Sequence, residues 1–490
     1  MAQVPMECQF DNVLLIVFDT LRADYLSCIS SETENETPNI DSFAEDSVLF
    51  KQAFATAPES ASSHATMFTG LYPSNHGVAC DTPQPPLRGD VPTIAEWLGK
   101  SGFDTYAIPG PAKAGSDYGY DRGFDEFVEF YDELELLFTL DGLKECILDP
   151  RIGRHTLRAI TDGPDNYGQL KFEYALDAMS GELDQPFFLM MNLTGCHSPY
   201  RAPRPFMGGA TPKLSRSKYQ FIEKIRQELG LGVGSYDDSD VNLEKIWDFN
   251  DSIDRYLADS NWLNETEVEV WKKWYTAELL YLDEQFGWFM EEFKKLNVAD
   301  DTAIIFTADH GELLGEHDLV YHNNFLFDEL LHVPLIISGK EIPSEVRNDL
   351  CSLVDLFPTI CDLTNVEPPT LLDGESIFNG HERSYVFAEI GKRDIGLNYN
   401  KDYMNPERKE YFDAGKKCIR DHKTKYMYYS NGERELYDIS GGETLTDEED
   451  SSEYHRELLS TLGEEFQKPS EESVELKEST ITHLENLGYR

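Results

Sequence analysis

The chain has 490 residues and carries 91 Asp and Glu against 42 Lys and Arg, a formal net charge of −49. Such an excess of carboxylate excludes general affinity for nucleic acid or anionic membrane, since both need basic surface. A hydrophobic share of 40% with 12% aromatics excludes a disordered chain, and the length suits one large domain with a smaller one.

In chain order, the apolar run 12–18 reads as a buried strand that ends in Asp19. Thr37-Pro38-Asn39 opens a helix through Ile40 and Phe43, and Pro92-Thr93-Ile94 opens another through Trp97 and Leu98. Strands follow at 103–108 and 186–193, and between them 111–185 loosens into an insertion with short helices over 134–157. The Phe124, Phe127, Phe130 and Tyr131 cluster reads as core beneath it. A second insertion, polar and rich in Gly, Ser and Asp, covers 201–265. A long helix over 265–295 repeats Leu279, Leu282, Phe286 and Phe289 at intervals of three and four. Strands at 302–306 and 333–337 come next. Strands separated by helices predict an α/β fold with a doubly wound, largely parallel central sheet over 1–380. The tail differs: strands flanking Asn431-Gly432 predict a smaller C-terminal α+β subdomain over 381–490, an antiparallel sheet with a terminal helix.

No stretch approaches the ~20 apolar residues of a membrane span. Residues 1–11 have neither a basic nor an apolar leader segment, and eight cysteines stand singly without CxxC spacing. The expected location is therefore the cytoplasm, with reduced thiols. The acids are spread along the whole chain, as on a halophile-type surface that stays hydrated in concentrated salt.

Two strand ends carry the chemistry. Asp19 closes the first strand, and Asp309-His310-Gly311-Glu312 follows the strand at 302–306. Working residues of open α/β sheets gather at such carboxyl ends. A hard carboxylate oxygen and an imidazole nitrogen together suit one divalent cation. Taken alone, Asp19 and Ser60 are also good helix caps, His64 and His76 suit local hydrogen bonding, and His317 suits loop geometry.

Between these ends runs Glu59-Ser60-Ala61-Ser62-Ser63-His64, closing at Thr69-Gly70. Here the chain resembles the sulfatase family of the alkaline phosphatase superfamily, whose motif reads Cys or Ser, x, Pro, Ser, Arg before Thr-Gly. Thr37-Pro38-Asn39-Ile40-Asp41, His197-Ser198-Pro199-Tyr200, Asp309-His310-Gly311-Glu312, Leu353-Val354-Asp355 and Glu435-Leu436-Tyr437-Asp438 extend the resemblance over nearly the whole chain. With the acidic surface, it is similar to a haloarchaeal-type member. The resemblance implies a metal-dependent hydrolase of sulfate esters with Ser60 as nucleophile. One divalent ion (Ca2+, Mn2+ or Mg2+) would sit on Asp19, Ser60, Asp309 and His310. His64, His197 and His322 would bind the oxyanion or protonate the leaving alkoxide. The substrate would be a small-molecule or glycan sulfate or phosphate ester.

The departures also carry information. Ser62 and His64 stand where the formylglycine-generating enzyme reads Pro and Arg, so Ser60 is expected to stay a hydroxyl. Thr20 replaces a second acid, and the family's Lys-x-His element is absent around 109–123. These traits resemble the branch of phosphoglycerol transferases. Hydrolysis of phosphate esters or phosphodiesters, phosphoryl transfer, or a noncatalytic binding role on the same fold therefore remain alternatives.

Overall fold

Strand β1 (Asn12–Phe18) is buried at every position, near the middle of an eight-stranded sheet. A strand covered on both faces has no polar side, so it reads as an unbroken Val/Ile/Leu run. The computed structural model describes residues 9–79, 84–110, 112–130, 151, 154, 168–198, 200, 202, 255–256, 259, 261–322, 324–380, 382–393, 406–446, 451–468 and 474–486. Most of the expected 201–265 insertion, and the short helices expected over 134–157, lie outside the described residues.

The remaining strands of this sheet are β2 (Val48–Phe54), β3 (Asp104–Ile108), β4 (Glu126–Phe127), β5 (Phe187–Leu193), β6 (Thr302–Ala308), β9 (His332–Ser338) and β10 (Glu345–Ser352). A separate ribbon pairs β7 (Leu313–Leu314) with β8 (Val320–Tyr321). Across the large sheet the order is β10-β2-β9-β6-β1-β5-β3-β4, and only β9 runs against its neighbours. The largely parallel, doubly wound sheet is thus the one expected. Strands β2 and β10 were not foreseen. β10 alternates half-buried and exposed residues over its first half, as an edge strand does.

Pro334 sits inside β9, where it offers no N–H to the ladder. The register of β2 shifts opposite it, between Phe50 and Ala53, which spares the missing donor. Phe188 is the register partner of Val13, five residues from Phe18, so Phe18 and Phe188 point to opposite faces. On one face Phe18 meets Phe286 of the long helix Glu265–Phe293. On the other, Phe188 stacks on Phe124, which meets Phe68 of helix Ser60–Thr69. Phe130 is buried in the core and Phe124 and Phe127 pack half-buried against it, as expected, while Tyr131 lies outside the described residues.

The C-terminal sheet is antiparallel, in the order β11 (Val386–Ile390), β12 (Lys416–Arg420), β13 (Thr424–Tyr429), β14 (Arg434–Asp438), β15 (Thr444–Leu445). Gly432 turns between β13 and β14 at φ +93°, a conformation a side chain would resist. Helix Ser452–Leu462 closes a second apolar cluster on this sheet through Leu458 and Leu462, against Ile419, Tyr426 and Leu436. Tyr72 and Val354 of the larger sheet's layer complete that cluster. A last helix spans Glu478–Asn486.

Candidate functional site

The register of β1 and β6 builds the centre of the site. Phe18 pairs with Ala308, so Asp19 and Asp309 leave two adjacent parallel strands side by side. The N–H groups of Thr20 and His310 donate to Asp309 Oδ1 at 3.0 and 2.9 Å. Thr20 adopts φ +59°, a costly conformation for a β-branched residue, and Tyr275 Oη donates to its carbonyl at 2.8 Å. His310 Nδ1 donates to the Gly311 carbonyl at 2.9 Å, which leaves Nε2 as an acceptor or ligand. Gly311 has no room for a side chain, because a Cβ would lie 2.0 Å from the Glu329 carbonyl oxygen.

Helix Ser60–Thr69 delivers the third component. Ser63 Oγ donates to the Asp309 carbonyl at 2.7 Å and ties the helix to the end of β6. Ser60, the first helical residue, then sits with Oγ 3.2 Å from His310 Nε2. Glu59 just before it pairs with Arg393, and both are buried.

Asp19, Asp309 and His310 are fully buried and bring three ligand atoms within 4.8 Å of one another. Neither oxygen of Asp19 has a hydrogen-bond partner, nor does Asp309 Oδ2. Burial first, and the Asp309 carboxylate second, push the Asp19 carboxyl well above its ordinary range, while Lys171 and Ser60 pull it down. Two unsatisfied carboxylates held together out of water are costly unless a cation joins them. The orphaned oxygens and the imidazole nitrogen therefore fit a single divalent cation.

All seven residues expected at the site converge. His64 Nδ1 lies 3.7 Å from Asp309 Oδ2. It donates to the Ser60 carbonyl at 2.8 Å, while Asn192 Nδ2 donates to its Nε2 at 2.9 Å. With both nitrogens engaged by protein and its pKa lowered by burial, His64 is a neutral strut behind the Ser60 turn. The His322 ring stands 4.5 Å from that of His310 and 4.9 Å from that of His197. His197 Nδ1 donates to the Ser198 carbonyl. Burial, then His310, His197 and Lys113, hold His322 well below the usual imidazole range. His76 and His317 serve local structure. His76 bonds Thr66 and the Val78 N–H, and His317 stacks on Phe327 at 3.7 Å beside Glu329.

Four residues were not foreseen. Lys113, in the turn Ala112–Ala114 after β3, is buried near His322. Lys171 of helix Gly168–Asp177 reaches under the sheet end and donates to the carbonyls of Pro109 and Asn192 at 3.1 and 2.9 Å. Asn192 sits at the end of β5. Glu312, fully buried, lies beside Asp19 and Asp309, which together with burial raise its pKa well above normal. The segment beyond it holds His317, Asp318, Tyr321 and Asn324 at φ +56°, +56°, +75° and +64°. Strain concentrated in one segment is typical of a functional loop.

A family model described as Sulfatase matches residues 11–366. The chain is 26% identical over 461 residues to the choline-sulfatase of Rhizobium meliloti (strain 1021), covering 87% of this chain and 80% of that protein. The phosphonate monoester hydrolase of Agrobacterium radiobacter superposes with a TM-score of 0.63 at 23% identity, over 88% of this chain and 89% of that one. A structure in complex with its substrate D-glucosamine-2-N,6-O-disulfate gives 0.64 at 17% identity, over 93% and 97%. At these identities the two superpositions speak for the fold alone.

Proposed function

The chain belongs to the sulfatase family of hydrolases, and from that premise we propose that it cleaves sulfate esters with one divalent cation and Ser60 as nucleophile. The observation that carries this reading is the buried Asp19, Asp309 and His310 cluster with Ser60 Oγ 3.2 Å from His310 Nε2. Asp19, Ser60, Asp309 and His310 would hold the ion, whether Ca2+, Mn2+ or Mg2+. Bound there, the cation lowers the pKa of the hydroxyl it touches and offsets charge on the nonbridging oxygens. Ser60 Oγ would bond to sulfur, its proton passing to solvent, as the bond to the leaving alkoxide breaks, and water would cleave the resulting ester. Ser60 opens helix Ser60–Thr69, whose first N–H groups have no intrahelical acceptor and would favour a tetrahedral oxyanion. His197 and His322 lie within reach to bind the oxyanion or protonate the alkoxide. His64 supports the turn that carries Ser60.

A second reading is hydrolysis of a phosphate ester or phosphodiester. Ser62 and His64 in place of Pro and Arg favour it, because they would leave Ser60 unconverted. A plain serine ester is easier to reconcile with phosphoryl than with sulfuryl transfer, where an aldehyde hydrate expels sulfate by collapsing. The choline-sulfatase relative supports a small-molecule substrate. The net charge of −49 argues against nucleic acid. It also supports a surface suited to molar salt. Among the described residues no helix is long and apolar enough to cross a membrane. Cys28, Cys196, Cys351, Cys361 and Cys418 are unbridged, which supports a reducing cytoplasm.

The deciding experiment assays an aryl sulfate and an aryl phosphodiester with one metal-loaded preparation, beside the mass of the peptide holding Ser60. Turnover of the sulfate is expected. A clear preference for the phosphodiester with Ser60 unmodified moves the assignment to the second reading. A loss of two hydrogens at Ser60 overturns the plain hydroxyl, and no turnover of either ester removes the hydrolase mechanism.

A further inference from the structure

Ribbon β7–β8 stands apart from both large sheets, and its register has a chemical consequence. Leu314 pairs with Val320 and Leu313 with Tyr321, so the next facing positions are Glu312 and His322. Glu312 Oε2 lies 3.3 Å from His322 Nδ1, and both side chains are buried. Backbone on each side holds the pair. Arg22 Nη1 donates to the Glu312 carbonyl at 3.1 Å, and Tyr321 is fixed at φ +75° just before His322. The other edge of the His322 ring then turns toward His310 and His197.

We propose that Glu312 and His322 form a carboxylate–imidazole dyad, in which Glu312 is a positioning residue that aims His322 at the leaving oxygen. The proposal rests on the hydrolase reading above and assigns one acid to it. Nδ1–H donates to Glu312 Oε2, which fixes the ring and directs Nε2 to the reacting ester. As the bond between the ester's central atom and its leaving oxygen breaks, the Nε2 proton passes to that oxygen. The bonding pair stays on the departing alcohol, and His322 becomes neutral with Nδ1–H still on Glu312. When water cleaves the Ser60 ester, Nε2 takes a proton from that water and the dyad is restored. Glu312 Oε1 has no hydrogen-bond partner, so among the described residues the carboxyl meets His322 through Oε2.

The test compares an alkyl ester and a p-nitrophenyl ester of the same acid. Glu312→Gln should lower kcat on the alkyl ester by about 10- to 100-fold, as loss of an orienting partner does, with KM little changed. The p-nitrophenyl ester should be nearly unaffected, because p-nitrophenolate leaves without a proton. In a His322→Ala background the Glu312→Gln loss should vanish. An equal loss on both esters, or an undiminished loss without His322, overturns the dyad and leaves Glu312 a structural residue. If the wild type turns over no ester, the hydrolase reading fails first. The dyad is then judged by 15N NMR of histidine-labelled protein, in which His322 should hold the Nδ1–H tautomer and lose it in Glu312→Ala. A tautomer unchanged by that substitution overturns the pairing.

Discussion

Two clusters of carboxylate in this molecule are built on opposite terms. At the strand ends, Asp19 and Asp309 are fully buried, and three of their four oxygens have no hydrogen-bond partner. Where the C-terminal sheet meets the loop before β9, Asp328 and Glu443 close around Lys425. Lys425 Nζ lies 3.1 Å from Asp328 Oδ1 and 2.5 Å from Glu443 Oε1, and Arg420 Nη2 lies 3.2 Å from Asp328 Oδ2. The Asp328 N–H donates to Glu443 Oε1 at 2.8 Å. Burial opposes ionisation at Asp328, but Lys425 and Arg420 prevail and hold its carboxyl far below the usual range. At Asp19 burial and a like charge win instead. The junction carries its own cations, Lys425 and Arg420, though Arg420 Nε and Nη1 have no hydrogen-bond partner. Among the described residues no Lys or Arg side chain bonds to Asp19 or Asp309, which is the setting the proposed cation would complete.

The largest expected effect breaks the strand-end side of this contrast. Asp309→Ala should abolish cation binding and turnover; it also takes the acceptor from the Thr20 and His310 N–H groups, so the fold should persist at reduced stability. Elemental analysis beside a thermal melt checks it, and full metal occupancy in the variant would sink the assignment. The next effect breaks the junction. Lys425→Met leaves Glu443 without its cation, and Asp328 with Arg420 alone. Removing one partner of such a buried group costs about 3 kcal/mol, the low end of the known range, since the Asp328 side chain is still 26% exposed. Denaturant unfolding reads the loss, and metal content per folded molecule should not move. A variant that unfolds normally but loses the cation would erase the distinction between the two clusters.

The strand-end cluster was the more legible of the two in sequence. Asp19 and Asp309 each follow an apolar run, and the sheet places them together because β1 and β6 are neighbours. The Asn-Gly turn and the capping pairs Thr93 with Glu96 and Asn264 with Glu267 likewise acted locally, as their residue types dictate. Strand β2 was missed because the bulge opposite Pro334 interrupts its alternation, and β10 because half of it faces solvent. Lys171 and Lys113 were invisible for another reason. Each meets the site through contacts between segments tens to hundreds of residues apart, and nothing in their own neighbourhoods marks them. The Glu312 and His322 pairing could have been found from the short ribbon joining them, had its register been legible. The Lys425 junction had no sequence signal at all, since its partners come from residues 328, 420 and 443.

The smallest effect per residue belongs to a third population of acids, those in solvent, and it sharpens the contrast from outside. Asp300 and Asp90 have side chains 80% and 68% exposed, and pairs so open to solvent contribute little individually. Their importance lies in number, because a net charge of −49 repels itself over the whole surface. The Debye length falls from about 10 Å at 0.1 M salt to about 3 Å at 1 M, which silences repulsion between neighbouring surface acids. Stability should therefore climb steadily from dilute buffer to molar potassium chloride, and the protein should unfold or aggregate when desalted. The Lys425→Met loss should keep its size across the same series, because salt screens buried charge far less. A melt that does not move between dilute buffer and molar salt contradicts the halophile-type surface. A Lys425→Met loss that shrinks as salt rises would mean that solvent ions reach the junction, and its carboxylates would then belong with the exposed acids.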